Sequence, residues 1–145
     1  MRVILASDHG GLRLKAAIKE CLKEMNIEFE DIGCDCEESV DYPDYALPVA
    51  QKVAAGEYDY GILICGTGIG MSIAANKVKG IRCAVVSDEF SARMSREHNN
   101  ANVLALGERV IGPGLAKNIV RIWLTTEFAG DRHLRRVNKI HALEE

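Results

Sequence analysis

Short apolar runs alternate along this chain with longer stretches of helical spacing. Val3–Ala6, Ile27–Ile32, Gly61–Cys65, Cys83–Val86 and Val103–Leu106 are rich in Val, Ile and Leu and read as buried strands. Between the first two, Leu14, Ala17, Ile18, Cys21, Leu22 and Met25 recur at steps of three and one. That spacing puts them on one helix face and turns Arg13, Lys15, Lys19, Lys23 and Glu24 outward. The pattern predicts further helices after Pro43, over Met71–Lys77, over Glu89–Glu97 and from about Gly114 to Leu124. A last helix is expected to be capped by Asp131 and to run to about Leu143.

Strand–helix alternation of this kind implies a parallel sheet covered on both faces. The expected fold is therefore α/β: a three-layer, doubly wound, Rossmann-like domain with a five-stranded parallel sheet. The 145 residues suit a single domain over 1–145, and no repeat or linker interrupts them. The longest irregular stretch, Gly33–Pro43, is acidic and reads as a surface loop. In such sheets ligands bind beyond the carboxyl ends of the strands. That rule selects Ser7–Gly11, Cys65–Gly70, Ser87–Asp88 and Gly107–Arg109 for inspection.

Composition narrows the function classes. Eighteen Lys and Arg against 21 Asp and Glu give a net charge of −3, a poor match to nonspecific nucleic-acid binding. Hydrophobic residues make up 48 % and charged residues 27 %, as in ordinary globular domains. No apolar run approaches the roughly 18 residues of a membrane span. Five scattered cysteines, with no signal peptide, argue against a disulfide scaffold and for a reducing, cytoplasmic setting.

The strongest local signal is Cys65-Gly66-Thr67-Gly68-Ile69-Gly70. Alternate glycines let the backbone turn tightly and aim several N–H groups at one point, and the helix that follows adds its positive end. This is an anion or oxyanion site. It is neither a dinucleotide fingerprint, whose last two glycines are spaced further apart, nor a P-loop, which ends in Gly-Lys-Ser/Thr. A tight strand–helix turn with no ligand is the bland alternative, and Cys65 at its head tilts the balance toward chemistry. A thiol near a helix N-terminus ionises more readily than a free one and can serve as nucleophile or as a base toward a carbon acid. A Cys-x5-Arg phosphatase would need Arg where Met71 stands. Cys21 and Cys83 fit buried packing roles. Cys34 and Cys36 form half of a metal-site spacing with no second half, so no metal is expected.

Asp8 and His9 close the first strand, where a carboxylate and an imidazole suit acid–base work or hydroxyl and phosphate binding. The competing reading is that Asp8 merely caps the next helix. His98 and Asn99 lie between the fourth helix and fifth strand, and could be nothing more than a turn. On the last helix Arg132 and Arg136 lie about 40° apart at about 100° per residue. Arg135 and Lys139 flank them, with Leu134, Val137 and His141 opposite. Such a stripe is usually a solvated face, but paired arginines can grip a phosphate. Arg109 is a further candidate.

Taken together, SDHGG at 7–11, SVDYPDYA at 39–46, GILICGTGIGMSIAANK at 61–77, SREHNNANVLALGERVIG at 95–112 and GDRHLRRV at 130–137 resemble the type B ribose-5-phosphate isomerases. That family also includes galactose-6-phosphate isomerase subunits. The resemblance covers essentially the whole chain. It implies reversible aldose–ketose isomerisation of ribose 5-phosphate and ribulose 5-phosphate, with no cofactor and no metal. It also implies a homodimer or homotetramer whose sites are shared between subunits, with the last helix, about 131–143, at the interface. By resemblance, Cys65 is the base that moves the proton between C1 and C2, and His98 helps open the furanose ring. Asp8, His9, Gly66, Thr67, Gly68, Ile69, Gly70, Asn99, Arg109, Arg132 and Arg136 correspond to substrate-binding positions, the arginines chiefly serving the phosphate. One branch of the family supplies a Glu base at the position of Met71. This chain keeps Cys65 and has no carboxylate there, which places it in the cysteine branch.

The chemistry agrees with that assignment. Removing a proton α to a carbonyl needs a base and a stabilised enediolate, which loop amides can supply. Thr67 can relay a proton between the two oxygens. Two alternatives stay open: an isomerase of a six-carbon sugar phosphate such as allose or galactose 6-phosphate, and a non-enzymatic sugar-phosphate or nucleotide-binding module on the same fold.

Overall fold

The computed structural model describes residues 1–144. Strands β1 (Arg2–Ser7), β2 (Glu28–Asp31), β3 (Tyr60–Cys65), β4 (Cys83–Val85) and β5 (Val103–Gly107) form one sheet in the order β2-β1-β3-β5-β4. All pairings are parallel, as the strand–helix alternation requires. The predicted strands are all present, displaced at their ends by a residue or two. β1, β3 and β5 are almost wholly buried, which explains their unbroken apolar runs. β2 alternates exposed and half-buried residues and β4 is short, so the sheet ends on strands poorly suited to further pairing.

Helices α1 (Leu12–Glu24), α4 (Glu89–Glu97) and α5 (Pro113–Thr125) cover one face. Helices α2 (Pro43–Ala54) and α3 (Ile69–Ala75) cover the other. The alternation of side chains along each strand divides the core accordingly. Leu5, Ile62, Ile64, Leu104 and Leu106 meet Ile18, Ile119 and Trp123 on the first face. Ile4, Ala6, Leu63 and Ala105 meet Val49, Met71 and Ala75 on the second, and Cys65 belongs to this side. α6 (Arg132–His141) lies outside both layers. Its end is tied to the start of β4 by Arg82 Nη1 and His141 Nε2, 2.8 Å apart, and by the Gly80 N–H on the Glu144 carboxylate. No helix among the described residues is long and apolar enough to cross a membrane.

Several expectations need correction. Lys15, expected on the outer face of α1, is buried. Its Nζ donates to the Cys34 carbonyl at 2.6 Å and to Asp31 Oδ1 at 3.0 Å, and the charge is tolerated because it is paired. Cys83 lies on the edge strand and is half-buried. α3 begins at Ile69, earlier than expected, because Gly68 takes a left-handed conformation (φ 81°) that starts the helix at once. Asp131 occupies the position before α6 but its side chain makes no capping hydrogen bond. On α6 the buried residues are His133 and Val137, and Leu134, expected on the inner side, is half exposed.

Candidate active site

Three loops meet at the carboxyl edge of the sheet, after β1, β3 and β5. Their contacts are close enough to need glycine. A Cβ on Gly107 would lie 2.6 Å from the Thr67 backbone, and one on Gly68 would lie 2.9 Å from the Leu106 carbonyl carbon. The Glu108 N–H donates to the Cys65 carbonyl and the Arg109 N–H to that of Gly66, both at 3.0 Å. On the other side Gly10 packs against Gly66, a Cβ there falling 3.3 Å from the Gly66 nitrogen. The arrangement sits at the reversal of strand order between β1 and β3, where open α/β sheets place ligands.

Within this cluster Cys65 ends β3 with its side chain buried. The Gly68 N–H donates to its Sγ at 3.0 Å, a bond that a thiolate accepts better than a thiol. The Ile69 N–H donates to Thr67 Oγ1 at 3.2 Å, which leaves the exposed Thr67 hydroxyl free to donate its own proton. Two of the loop amides are thus engaged within the loop. Those of Gly66, Thr67 and Gly70 are the ones available to an oxyanion.

Asp8 is buried and Oδ1 of its carboxylate accepts the Gly10 N–H at 2.8 Å. It therefore does cap the short 3-10 turn His9–Gly11, as the structural alternative held, but it does so at the lip of the Cys65 loop. His9 Nδ1 accepts the Val40 N–H at 3.1 Å. An imidazole accepting at Nδ1 carries its proton on Nε2, so His9 presents a neutral N–H donor. This bond was not legible in the sequence, because it depends on how the Gly33–Pro43 loop folds back. Tyr42 was also missed: its ring lies over Gly70, a Cβ on which would fall 2.7 Å from it. The Arg109 side chain runs along Gly66. Glu108, its neighbour, instead accepts the Leu14 N–H at 2.9 Å and anchors α1. Asp88 caps α4 through the Ser91 N–H at 2.7 Å.

The remaining candidates gather elsewhere. α4 runs back across the sheet, so His98 at its end lies by the amino edge of the strands. The following turn is fixed there by the Asn102 N–H on the Arg82 carbonyl, just before β4, at 3.0 Å. Gly61 pairs with Val103 and Cys65 with Gly107, so β3 and β5 alone separate the two edges by about 13 Å. His98 stacks on His133 of α6, ring centroids 4.2 Å apart and planes 10° from parallel. Arg132 and Arg136 flank His133 on the same helix and are exposed, as is Asn99. A groove of about 260 Å³ beside β4 is lined by Asn76, Arg82, Cys83, Asn99 and Ile140, and another of about 530 Å³ runs along Leu134, Arg135 and Asn138. Neither reaches Cys65. One chain therefore holds these candidates in two groups: Asp8, His9, Gly66–Gly70 and Arg109 around Cys65 at one edge, and His98, Asn99, Arg132 and Arg136 at the other. Among the described residues no cluster of three His, Cys, Asp or Glu side chains could hold a metal ion.

A family model described as ribose/galactose isomerase matches residues 3–140. YwlF of Bacillus subtilis, provisionally named a sugar phosphate isomerase, is 65 % identical over all of this chain and 98 % of its own. Ribose-5-phosphate isomerase B of Escherichia coli is 51 % identical over 99 % of this chain and 97 % of its own. D-erythrulose-4-phosphate isomerase of Pectobacterium atrosepticum is 43 % identical, covering 97 % and 93 % respectively. Among solved structures, ribose-5-phosphate isomerase B of Clostridium thermocellum superposes with a TM-score of 0.97 at 57 % identity, covering 99 % of this chain and 97 % of that one.

Proposed function

The chain belongs to the ribose/galactose isomerase family, and on that premise we propose that it interconverts ribose 5-phosphate and ribulose 5-phosphate, with Cys65 as the base. The observation that carries the reading is the buried Sγ held by the Gly68 N–H inside a glycine loop. The Cys65 thiolate takes the C2 proton of the open-chain aldose. The electron pair passes to the carbonyl oxygen and gives an enediolate. The amides of Gly66, Thr67 and Gly70 stabilise the developing charge where water is scarce. The Thr67 hydroxyl relays a proton between O1 and O2, and Cys65 returns its proton to C1. Asp8 and the Nε2–H of His9 fit hydroxyls of the sugar.

His98 opens the furanose ring, Asn99 assists binding, and Arg109, Arg132 and Arg136 take the phosphate. Because His98, Asn99, Arg132 and Arg136 lie at the edge of one chain opposite Cys65 and Arg109, the reading requires a second copy. In a homodimer, the amino edge of one subunit, with α6, faces the carboxyl edge of its partner, and each site draws on both. The separation of the two half-sites supports this assembly.

The substrate's length is the finer point. One relative is named for a four-carbon substrate, and in the proposed dimer the distance from the arginines to Cys65 sets the length of sugar accepted. Turnover measured side by side on tetrose, pentose and hexose phosphates tests the assignment. The pentose is expected to give the highest kcat/KM, and a higher value for allose or galactose 6-phosphate would replace it.

A further inference from the structure

His133 has no part in the reaction as drawn above, yet it makes the most intimate contact with one of its groups. It lies in the first turn of α6 and is 7 % exposed. His98 ends α4, half-buried, its backbone N–H on the Met94 carbonyl at 2.8 Å. The two rings stack face to face. The Ala129 N–H donates to the Glu97 carbonyl at 3.0 Å, so the start of α6 is tied to the end of α4 beside the stack. An imidazole gripped by its face keeps both ring nitrogens for a ligand.

We infer that His133 is a positioning residue: its ring holds the His98 imidazole in one orientation, with the His98 nitrogens turned toward the sugar that α6 binds. Arg132 and Arg136 sit on the same helix on either side of it, so seating a phosphate on α6 also seats the stacking ring. Charge supports the arrangement. Burial holds the His133 imidazole below the usual histidine range. His98 of α4 and Arg132 and Arg136 of α6 push the same way, against Glu97. An imidazole kept uncharged stacks on its neighbour without like-charge repulsion. The inference rests on the proposed role of His98 in ring opening.

The test is a double-mutant cycle on ribose 5-phosphate turnover in the intact protein. His133→Ala is expected to lower kcat roughly tenfold while KM moves less than about twofold. His133→Phe, which keeps a flat ring, is expected to retain most of the activity. His133→Leu, which fills the space without a plane to stack, is expected to behave like His133→Ala and carries the test if that variant fails to fold. In a His98→Ala background the second substitution should cost nothing more. An equal loss in both backgrounds would overturn the inference and leave the role of His98 intact. Full activity of His98→Ala alone would remove that role, and the inference with it.

Discussion

The Gly68 N–H reaches the Sγ of Cys65 at 3.0 Å because Gly68 holds φ at 81°. A side chain there would strike the Leu106 backbone. The loop's shape and its proposed chemistry thus depend on one residue. Gly68→Ala is expected to cost about 1–3 kcal/mol of stability and most of the turnover, read by urea unfolding and by isomerase assay. Cys65→Ala should instead keep the fold, bind the sugar phosphate by calorimetry and lose at least about a hundredfold in kcat. Normal turnover by Cys65→Ala would remove the thiol from the mechanism.

Arg132 and Arg136 are exposed on α6 and act, in this account, on the phosphate. Replacing either by Ala is expected to raise KM roughly tenfold or more, the weight of a charge-assisted contact. A KM unchanged in both variants would return the pair to the status of a solvated basic face.

Asp31 gives the fold a defined acid limit. Burial alone would raise its pKa, but hydrogen bonds from Lys19, the Gly33 N–H and Lys15 outweigh it and hold the carboxyl below the ordinary aspartate range. A depressed native pKa means that the associated stability is present above the unfolded value of about 3.9 and is lost as pH falls through the native value. Denaturant titrations should therefore show stability falling below about pH 4. Asp31→Asn should flatten that part of the curve. It should also cost about 1–3 kcal/mol at neutral pH, because buried Lys15 keeps only the Cys34 carbonyl and the exposed Asp35 carboxylate, 3.7 Å away.

The five thiols should separate on labelling of the native protein. Cys36 is exposed and is expected to react first with a maleimide. Burial pushes Cys83 up to about 12 and raises Cys21 as well, so neither should gain reactivity between pH 7 and 9. Mass spectrometry of the labelled peptides reads the order, and Cys83 labelling ahead of Cys36 would contradict the raised pKa of its half-buried thiol.

Much of this was legible in the chain. The apolar runs gave the five strands, and the polar residues at their carboxyl ends gave Asp8, His9, Thr67 and Arg109 together with Cys65. Three things were not legible. The inward turn of Lys15 depends on Asp31 and Cys34, which belong to another element. The Val40–His9 bond depends on how an irregular loop returns. The docking of α6 against the end of α4, which stacks His133 on His98 at the edge opposite Cys65, depends on contacts between distant elements that no local pattern encodes.

The proposed site, shared between two chains, rests on that separation. Cys65→Ala disables one half-site and Arg132→Ala the other. If each site combines the Cys65 edge of one subunit with the α6 edge of its partner, a mixed dimer contains one intact site. Co-expressing the two variants and assaying ribose 5-phosphate turnover at substrate well below the wild-type KM, where Arg132→Ala is itself down about tenfold, should then restore about a quarter of wild-type activity under random pairing, above either variant alone. Activity no higher than the average of the two separate variants would contradict a site shared between subunits.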